Sequence, residues 1–399
     1  MHQFLRLLAF AGLLTASALG QGEIRNVGPI VLDYNSKSIA VRVSANVPEL
    51  NTLALVAFGA HGRYRLVASD YAYDIRFSQA GPTQVRVDIS RGKTPAPVSS
   101  DTVSGTTLRH ALLKAADLAV EKTNGLGLKG LFTARIAFIG ERTGKKEVYT
   151  SDLFFSPGQV KQVTRDNASA LAPRWSPDGS KLLYTSFFKS GFPDIFQIDL
   201  ATNNRTTFVS FRGLNTGARF SPNGQQVAMV LSGEGSQEIY VSNAQGRAVS
   251  RKTRSSAVKA SPCWSPDGGR LVFAMGEPSP QLYVMAAGGG TPTRLVTGFT
   301  YAAEPDWSRA NPNKLACTVL SERRYQIAVY DFAEGKGKVV SGAPFDAAMP
   351  SWLADGRHLV FTARSRNTSA LFILDTETGK STQIGNGFGL TMEANVWTP

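Results

Sequence analysis

The chain has 399 residues, 42% of them hydrophobic, with 43 Lys and Arg against 30 Asp and Glu for a formal charge of +13. With 38 Gly and 20 Pro, this describes an ordered, turn-rich chain of two domains, or of one repeat array with a companion, and excludes a disordered or fibrous protein. Only Cys263 and Cys317 occur, which excludes a disulfide framework and predicts two buried thiols, and the basic residues are scattered singly, which argues against a nucleic-acid partner.

The first 20 residues have the layout of an export signal: Arg6, an apolar run over Leu7–Leu14, then small residues from Thr15 to Gly20. Cleavage is expected after Ala18 or Gly20. Gln21, not Cys, then follows, so no lipid anchor on an N-terminal cysteine is expected, and contact with a membrane is expected to be indirect. A basic exported chain points to acidic proteins, anionic headgroups or envelope polymers as partners.

Residues 21–128 read as a small α/β domain. Strands are expected at Ile39–Val43, Arg63–Ser69, Asp74–Ser78 and Gln84–Ile89, with a short helix over Pro48–Phe58, while Thr94–Ser104 reads as a Pro/Ser-rich loop. The strongest helix runs from about Thr106 to Asn124. Leu108, Leu112, Ala115, Ala116 and Ala119 fall at helical spacing, Ser104 or Thr106 is the expected cap, and Gly125 is the stop. A Gly-rich linker over Gly125–Gly130 leads onward, which places the boundary near residue 128.

Beyond it a motif recurs. Trp175, Trp264 and Trp352 and the aromatic Phe220 are each followed by a four-residue turn: Ser-Pro-Asp-Gly at 176–179 and 265–268, Ser-Pro-Asn-Gly at 221–224 and Leu-Ala-Asp-Gly at 353–356. Trp307 and Trp397 complete the series, and the steps 175, 220, 264, 307, 352, 397 are 45, 44, 43, 45 and 45 residues. Pro presets φ, Asp or Asn accepts from the following backbone, and Gly supplies positive φ, so the motif encodes a tight turn. Strand-like runs follow each anchor, such as Lys181–Ser186, Asp194–Asp199 and Arg205–Ser210. A 43–45-residue repeat of four strands predicts a mainly β chain, a six-bladed β-propeller over 129–399. Three strands near Arg135–Ile139, Val148–Leu153 and Val160–Thr164 lack an anchored strand, and the closing segment 393–399 supplies it. The anchors themselves are expected to pack between blades.

Loops that join one blade to the next gather at one face of a propeller, where a rigid frame presents them. Seven residues there are candidate partner contacts: Arg212, Asn215, Lys259, Tyr301, Glu304, Phe345 and Asp346. The enzyme reading finds little to stand on. His61, His110 and His358 lack paired metal-ligand spacing, and no Gly-x-Ser-x-Gly elbow occurs, so no catalytic, cofactor or metal residue is assigned. Three alternatives stay open: Glu304 and Asp306 as channel carboxylates that bind a cation or act as acid and base, Tyr301 and Phe345 as platforms for envelope glycan, and a small-ligand or hydrolase/lactonase propeller.

The anchors together with the junction Gly127-Leu-Lys-Gly-Leu-Phe-Thr-Ala-Arg-Ile-Ala-Phe138 resemble the TolB family, and the order of leader, α/β domain, junction, blades and closing strand is similar throughout. The match departs at Leu214, where the family often has His, although Asn215 agrees. The resemblance implies a monomeric periplasmic adapter of the Tol-Pal system that takes part in envelope integrity, cell division and import. Its implied partners are a peptidoglycan-associated lipoprotein at one propeller face and inner-membrane Tol proteins, the latter through an N-terminal arm that Glu23, Ile24 and Arg25 resemble. No cofactor is implied.

Overall fold

Residues 37–156 and 158–399 are described by the computed structural model; the predicted leader over 1–20 and the arm residues Glu23, Ile24 and Arg25 lie outside them. The first unit comprises β1 (Ile39–Ala45), α1 (Pro48–Ala60), β2 (Tyr64–Leu66), β3 (Tyr73–Gly81), β4 (Gln84–Arg91), β5 (Ser99–Ser104) and α2 (Leu108–Thr123). Its sheet has the order β2-β1-β3-β4-β5, parallel around β1 and antiparallel thereafter. Pro48 opens α1, where a missing N–H costs nothing, and the helix makes the crossover that the parallel pairing of β1 with β2 requires.

Two expectations for this unit are corrected. The segment read as a loop over Thr94–Ser104 ends in β5, where Ser99, Asp101 and Val103 alternate with more exposed neighbours. Its polar Ser and Thr side chains hide a strand whose outer face needs no apolar residue. The cap of α2 is Thr107, whose side chain accepts from the His110 N–H at 3.1 Å, whereas Thr106 turns its hydroxyl to His110 Nδ1 at 2.9 Å. The alanine stripe of α2, Ala111, Ala115, Ala116 and Ala119, is wholly buried, so the helix lies close on β4 and β5.

The propeller consists of six four-stranded antiparallel sheets. In five blades the strands are consecutive; the first begins Ala170–Trp175, Lys181–Ser186, Asp194–Asp199 and Arg205–Val209. The sixth is composite. The strand Thr391–Trp397 pairs with Arg135–Gly140, with Val396 opposite Ile136 and Trp397 opposite Arg135, and Glu147–Asp152 and Lys161–Gln162 complete the sheet. The first and last segments of the propeller are thereby locked together, and the edges that would otherwise stay open are paired.

Each anchored strand is the innermost of its blade and lies against the anchored strands on either side. All six carry a bulge whose central residue has positive φ: Ala172, Gly217, Ser261, Glu304, Met349 and Glu393. Proline follows in four of them, which an inner edge tolerates because no further strand needs its N–H. Two residues past the bulge, a side chain reaches the next strand. Asn395 Oδ1 accepts from Trp175 N at 2.9 Å, Asp306 Oδ2 from Trp352 N at 2.7 Å, and Cys263 Sγ from Trp307 N at 3.2 Å. The indoles add bonds in the same direction: Trp175, Trp264 and Trp352 donate to the carbonyls of Asn395, Arg219 and Asp306 at 3.1, 2.9 and 2.8 Å. Both cysteines are buried and free.

Candidate functional site

The bulges and the residues that follow them line a central channel with two unlike mouths. At the end where the inner strands begin, a cavity of about 530 Å³ is walled by Phe187, Phe192, Pro193, Leu214, Pro262 and Met349, among others. Glu304 and Glu393 occupy bulge positions inside it and are tied to the frame. Glu304 Oε2 accepts from Thr318 Oγ1 at 2.7 Å and from Met349 N at 2.9 Å; Glu393 Oε2 accepts from Ala172 N at 2.6 Å. Burial raises the pKa of Glu393 even though that backbone bond and Arg174 favour its charged form. Both carboxylates brace the ring. Asp306, the other channel acid, pairs with Arg219.

The same mouth carries an aromatic rim. Phe188, Phe192 and Phe211 are 47, 54 and 52% exposed, and they come from the loop after Ser186 and from the loop that leads into the Asn215 strand. Phe192 lines the cavity, while Phe188 packs edge-on against Phe196 with the Arg205 guanidinium 4.2 Å over its ring; exposed aromatics on loops beside a rigid cavity are what protein-docking sites concentrate. The hairpin loop that carries Phe187, Phe188 and Phe192 lies within a blade and not between blades, and its Phe-Phe and Phe-Pro pairs outside any strand are its signal in the sequence.

The seven predicted contacts divide on inspection. Arg212 is exposed in the rim loop. Asn215 is fully buried and staples that loop: its Oδ1 accepts from Phe211 N at 3.0 Å, and its Nδ2 donates to the carbonyls of Phe211 and Gly213 at 2.8 and 3.2 Å. Lys259 is 1% exposed, held by Glu238 at 2.8 Å and Ser255 Oγ at 2.6 Å. Phe345 is buried against Phe372 with ring centroids 5.3 Å apart. Tyr301 is half-buried against Tyr325 at 5.1 Å, and Asp346 accepts from Tyr325 N at 3.1 Å. Asn215, Lys259 and Phe345 therefore shape the face without presenting their own side chains, because a tightly turned loop must satisfy its main-chain polar groups from within. Phe345 and Tyr301 offer no open platform for a sugar ring.

The α/β domain docks on the opposite face through a buried polar cluster. Gly62 N donates to His358 Nε2 at 3.1 Å, which leaves His358 Nδ1 to donate to Asp355 Oδ2 at 2.5 Å. His61 Nδ1 accepts from Arg63 N at 3.2 Å, and its Nε2 is buried without a hydrogen-bond partner. The two imidazoles, 297 residues apart in the chain, stand 4.3 Å apart edge to face. Arg357 grips Asp375 beside them, with nitrogen–oxygen distances of 2.7 to 3.0 Å. The histidines that stand singly in the sequence are thus paired in space. His61, His358 and Asp355 are the only metal-capable group found among the described residues, but the nitrogens of His358 and Asp355 Oδ2 are already engaged in holding the domains together.

The junction is fixed on the same side. Asp117 of α2 accepts from Phe132 N at 2.7 Å and from Thr133 N and Oγ1 at 3.1 and 2.7 Å, and burial raises its pKa to about 6 against the pull of those bonds. A side chain at Gly130 would collide with Asp117. One apolar cluster runs from Val41, Phe58 and Ala119 through Phe132 to Phe138, Val360 and Leu371, so the two units share a core.

These features define a six-bladed propeller with an α/β domain packed on one face and an aromatic-rimmed channel mouth on the other. The family model of the TolB beta propeller domain matches residues 123–399, and the chain belongs to that family. It is 32% identical over 219 residues to a protein TolB homolog of Chlorobium luteolum, covering 53% of this chain and 48% of the relative, and 41% identical over 129 residues to a Tol-Pal system protein TolB of Desulfosudis oleivorans, covering 32% and 28%. The matched stretch thus spans about half the length of these curated relatives, or less. In structure it is similar to TolB from Acinetobacter baumannii, with a TM-score of 0.80 at 22% identity over 92% of this chain and 99% of that one. Among the described residues no helix is long and apolar enough to cross a membrane.

Proposed function

We propose that this chain is a periplasmic, non-enzymatic adapter of the Tol-Pal type. Its aromatic-rimmed mouth docks a peptidoglycan-associated lipoprotein of the outer membrane, and its N-terminal side reports to inner-membrane Tol proteins. The rim formed by Phe188, Phe192 and Phe211 carries the reading: three large aromatics, each about half exposed, stand on loops that Asn215 braces through Phe211, Gly213 and Pro193. Docking on a stiff face loses little conformational entropy. The use of Glu304 and Glu393 as braces supports binding over turnover, since each of these acids already holds backbone N–H groups.

The reading is tested by calorimetric titration of the chain with the soluble domain of a peptidoglycan-associated lipoprotein from the same cell envelope. The wild type should bind, and Phe192→Asp with Phe211→Asp should weaken binding at least tenfold, about 1.4 kcal/mol, while leaving the fold intact. Equal binding by the double variant would move the interface elsewhere. No binding by the wild type would remove this partner.

A further inference from the structure

The channel mouth that faces the α/β domain holds more positive charge than the described residues neutralise. Its cavity, about 1050 Å³, is lined by Arg174, Arg219 and Arg309 from the ring and by Arg63 and Lys129 from the domain and linker. The carboxylates that line it are all engaged: Asp306 with Arg219, Asp355 with His358 at 2.5 Å, and Glu377 with Lys314 at 2.9 Å. Arg63 spends its guanidinium on the main-chain carbonyls of Lys37 and Asn124. Arg174, among the described residues, hydrogen-bonds only to the carbonyl of the adjacent Pro173, at 3.1 Å. Arg309 has neither a hydrogen bond nor an ion pair among them; desolvation in the cavity wall, and then the charge of Arg219, lowers its pKa, with Asp306 opposing from a distance.

The place of Arg174 in the repeat makes this excess informative. It stands two residues past a bulge, where Asn395, Asp306 and Cys263 accept from the next anchor's N–H. A guanidinium has five donors and no acceptor, so an arginine there gives up a bond in the seam between blades. Arg219, at the equivalent position of the next blade, turns to Asp306 across the channel. Among the described residues no carboxylate forms an ion pair with Arg174, and Asp306 and Glu393 act on it only from a distance. Burial, with the charge of Arg219, lowers the Arg174 pKa to about 10, so the charged form is costly at this position.

We propose that this mouth is a binding site for a small oxyanion-bearing ligand, a di- or tricarboxylate or a phosphate, held by Arg174 and Arg309 with Lys129 of the linker at its edge. Carboxylate and phosphate share the planar or tetrahedral oxygen pair that a guanidinium grips with two parallel bonds. A ligand here touches both the ring and the linker, so it ties the channel to the docked domain. The proposal stands whether or not the opposite mouth docks a lipoprotein.

The test uses the full mature chain and two probes, citrate and inorganic phosphate, in calorimetric titration and thermal unfolding, with sodium chloride at matched ionic strength as reference. At least one probe should bind saturably and raise the unfolding midpoint beyond the chloride reference. Arg174→Gln and Arg309→Gln should each weaken that binding about tenfold, and Lys189→Gln, an exposed change beside the aromatic rim, should leave it unchanged. Stronger binding of citrate assigns a carboxylate ligand, and stronger binding of phosphate assigns a phosphate. Because Arg309 is exposed, its variant keeps the test open if Arg174→Gln folds poorly. Midpoints that follow ionic strength alone, or affinities equal in wild type and both arginine variants, would overturn the proposal.

Discussion

Two kinds of seam hold this molecule together, and they are built from opposite chemistry. Between blades, large indoles pack and side chains bond to the neighbouring strand's main chain, as when the Trp352 indole donates to the Asp306 carbonyl while the Trp352 main-chain N–H is received by the Asp306 side chain. Between the α/β domain and the ring, the buried polar contact is concentrated in one cluster, His61, Gly62, Asp355, Arg357, His358 and Asp375, all of them fully or nearly fully buried. The repeated seam spreads its stability over many similar contacts, so no single group decides it. The single polar seam concentrates its specificity in a few groups that one added methyl or one proton can disturb.

The largest expected effect is on the repeated seam. Trp352→Ala removes a 7% exposed indole from between two blades and leaves the Asp306 carbonyl without its donor. Such truncations cost about 3–5 kcal/mol, and guanidinium unfolding should show a loss near the upper end. A loss below about 1 kcal/mol would mean that the anchors fill space without joining blades, and the contrast between the seams would collapse.

That contrast also explains how much could be read from the sequence. The anchors and turns announced themselves because a repeat multiplies each signal six times, and strands such as Lys181–Ser186 and Gln226–Leu231 follow from it with the boundaries expected. The closing strand was legible too, since Trp397 fits the spacing and then lies opposite Arg135. The domain seam has no such multiplication. Nothing local in His61-Gly62 or in Asp355-Gly-Arg-His358 says that the two segments meet, and a buried histidine pair looks like two unrelated residues until the chain folds. The rim fell between these cases. Its position on the frame was readable, but which loop residues turn outward depends on where the loop's own N–H and C=O groups find partners, and Asn215 and Lys259 proved to be those partners.

A smaller effect is expected from Gly62→Ala, which acts on the domain seam alone. The added methyl would meet the Asp375 side chain, and Asp375 is held in place by Arg357 and by the N–H groups of Glu377 and Thr378. Neither side can yield cheaply, and overpacking of this kind costs about 1–3 kcal/mol. The cost should appear as undocking rather than as unfolding of the ring. Limited proteolysis across the 124–134 linker should quicken about tenfold or more, while the propeller's own unfolding transition stays within a degree or two. A linker as resistant as in the wild type would show that the shared apolar cluster, not the polar contact, holds the domain down.

The smallest effect asks whether the domain seam senses pH as its composition implies. Burial, and then the neighbouring His358, holds the His61 pKa well below 6.5, with Arg357 adding to the shift and Asp355 and Asp375 opposing it. The docked state therefore needs His61 neutral, whereas the unfolded chain takes up its proton near 6.5. Its contribution is complete above that value and drains away as pH falls below it, by at most about 1.4 kcal/mol per pH unit. Asp117 works in the other direction: with its folded pKa raised to about 6, the folded state gains a proton before the unfolded chain does, and stability rises as pH falls through 6. In the wild type the two titrations offset each other and the net profile is shallow. His61→Leu removes one and keeps the other, so the stability difference between wild type and variant should shrink or change sign between pH 7 and 5.5, with the Asp117 contribution cancelling. Denaturant unfolding at each pH reads that difference directly, and a difference that stays flat across the window would show that His61 keeps its charge state on docking.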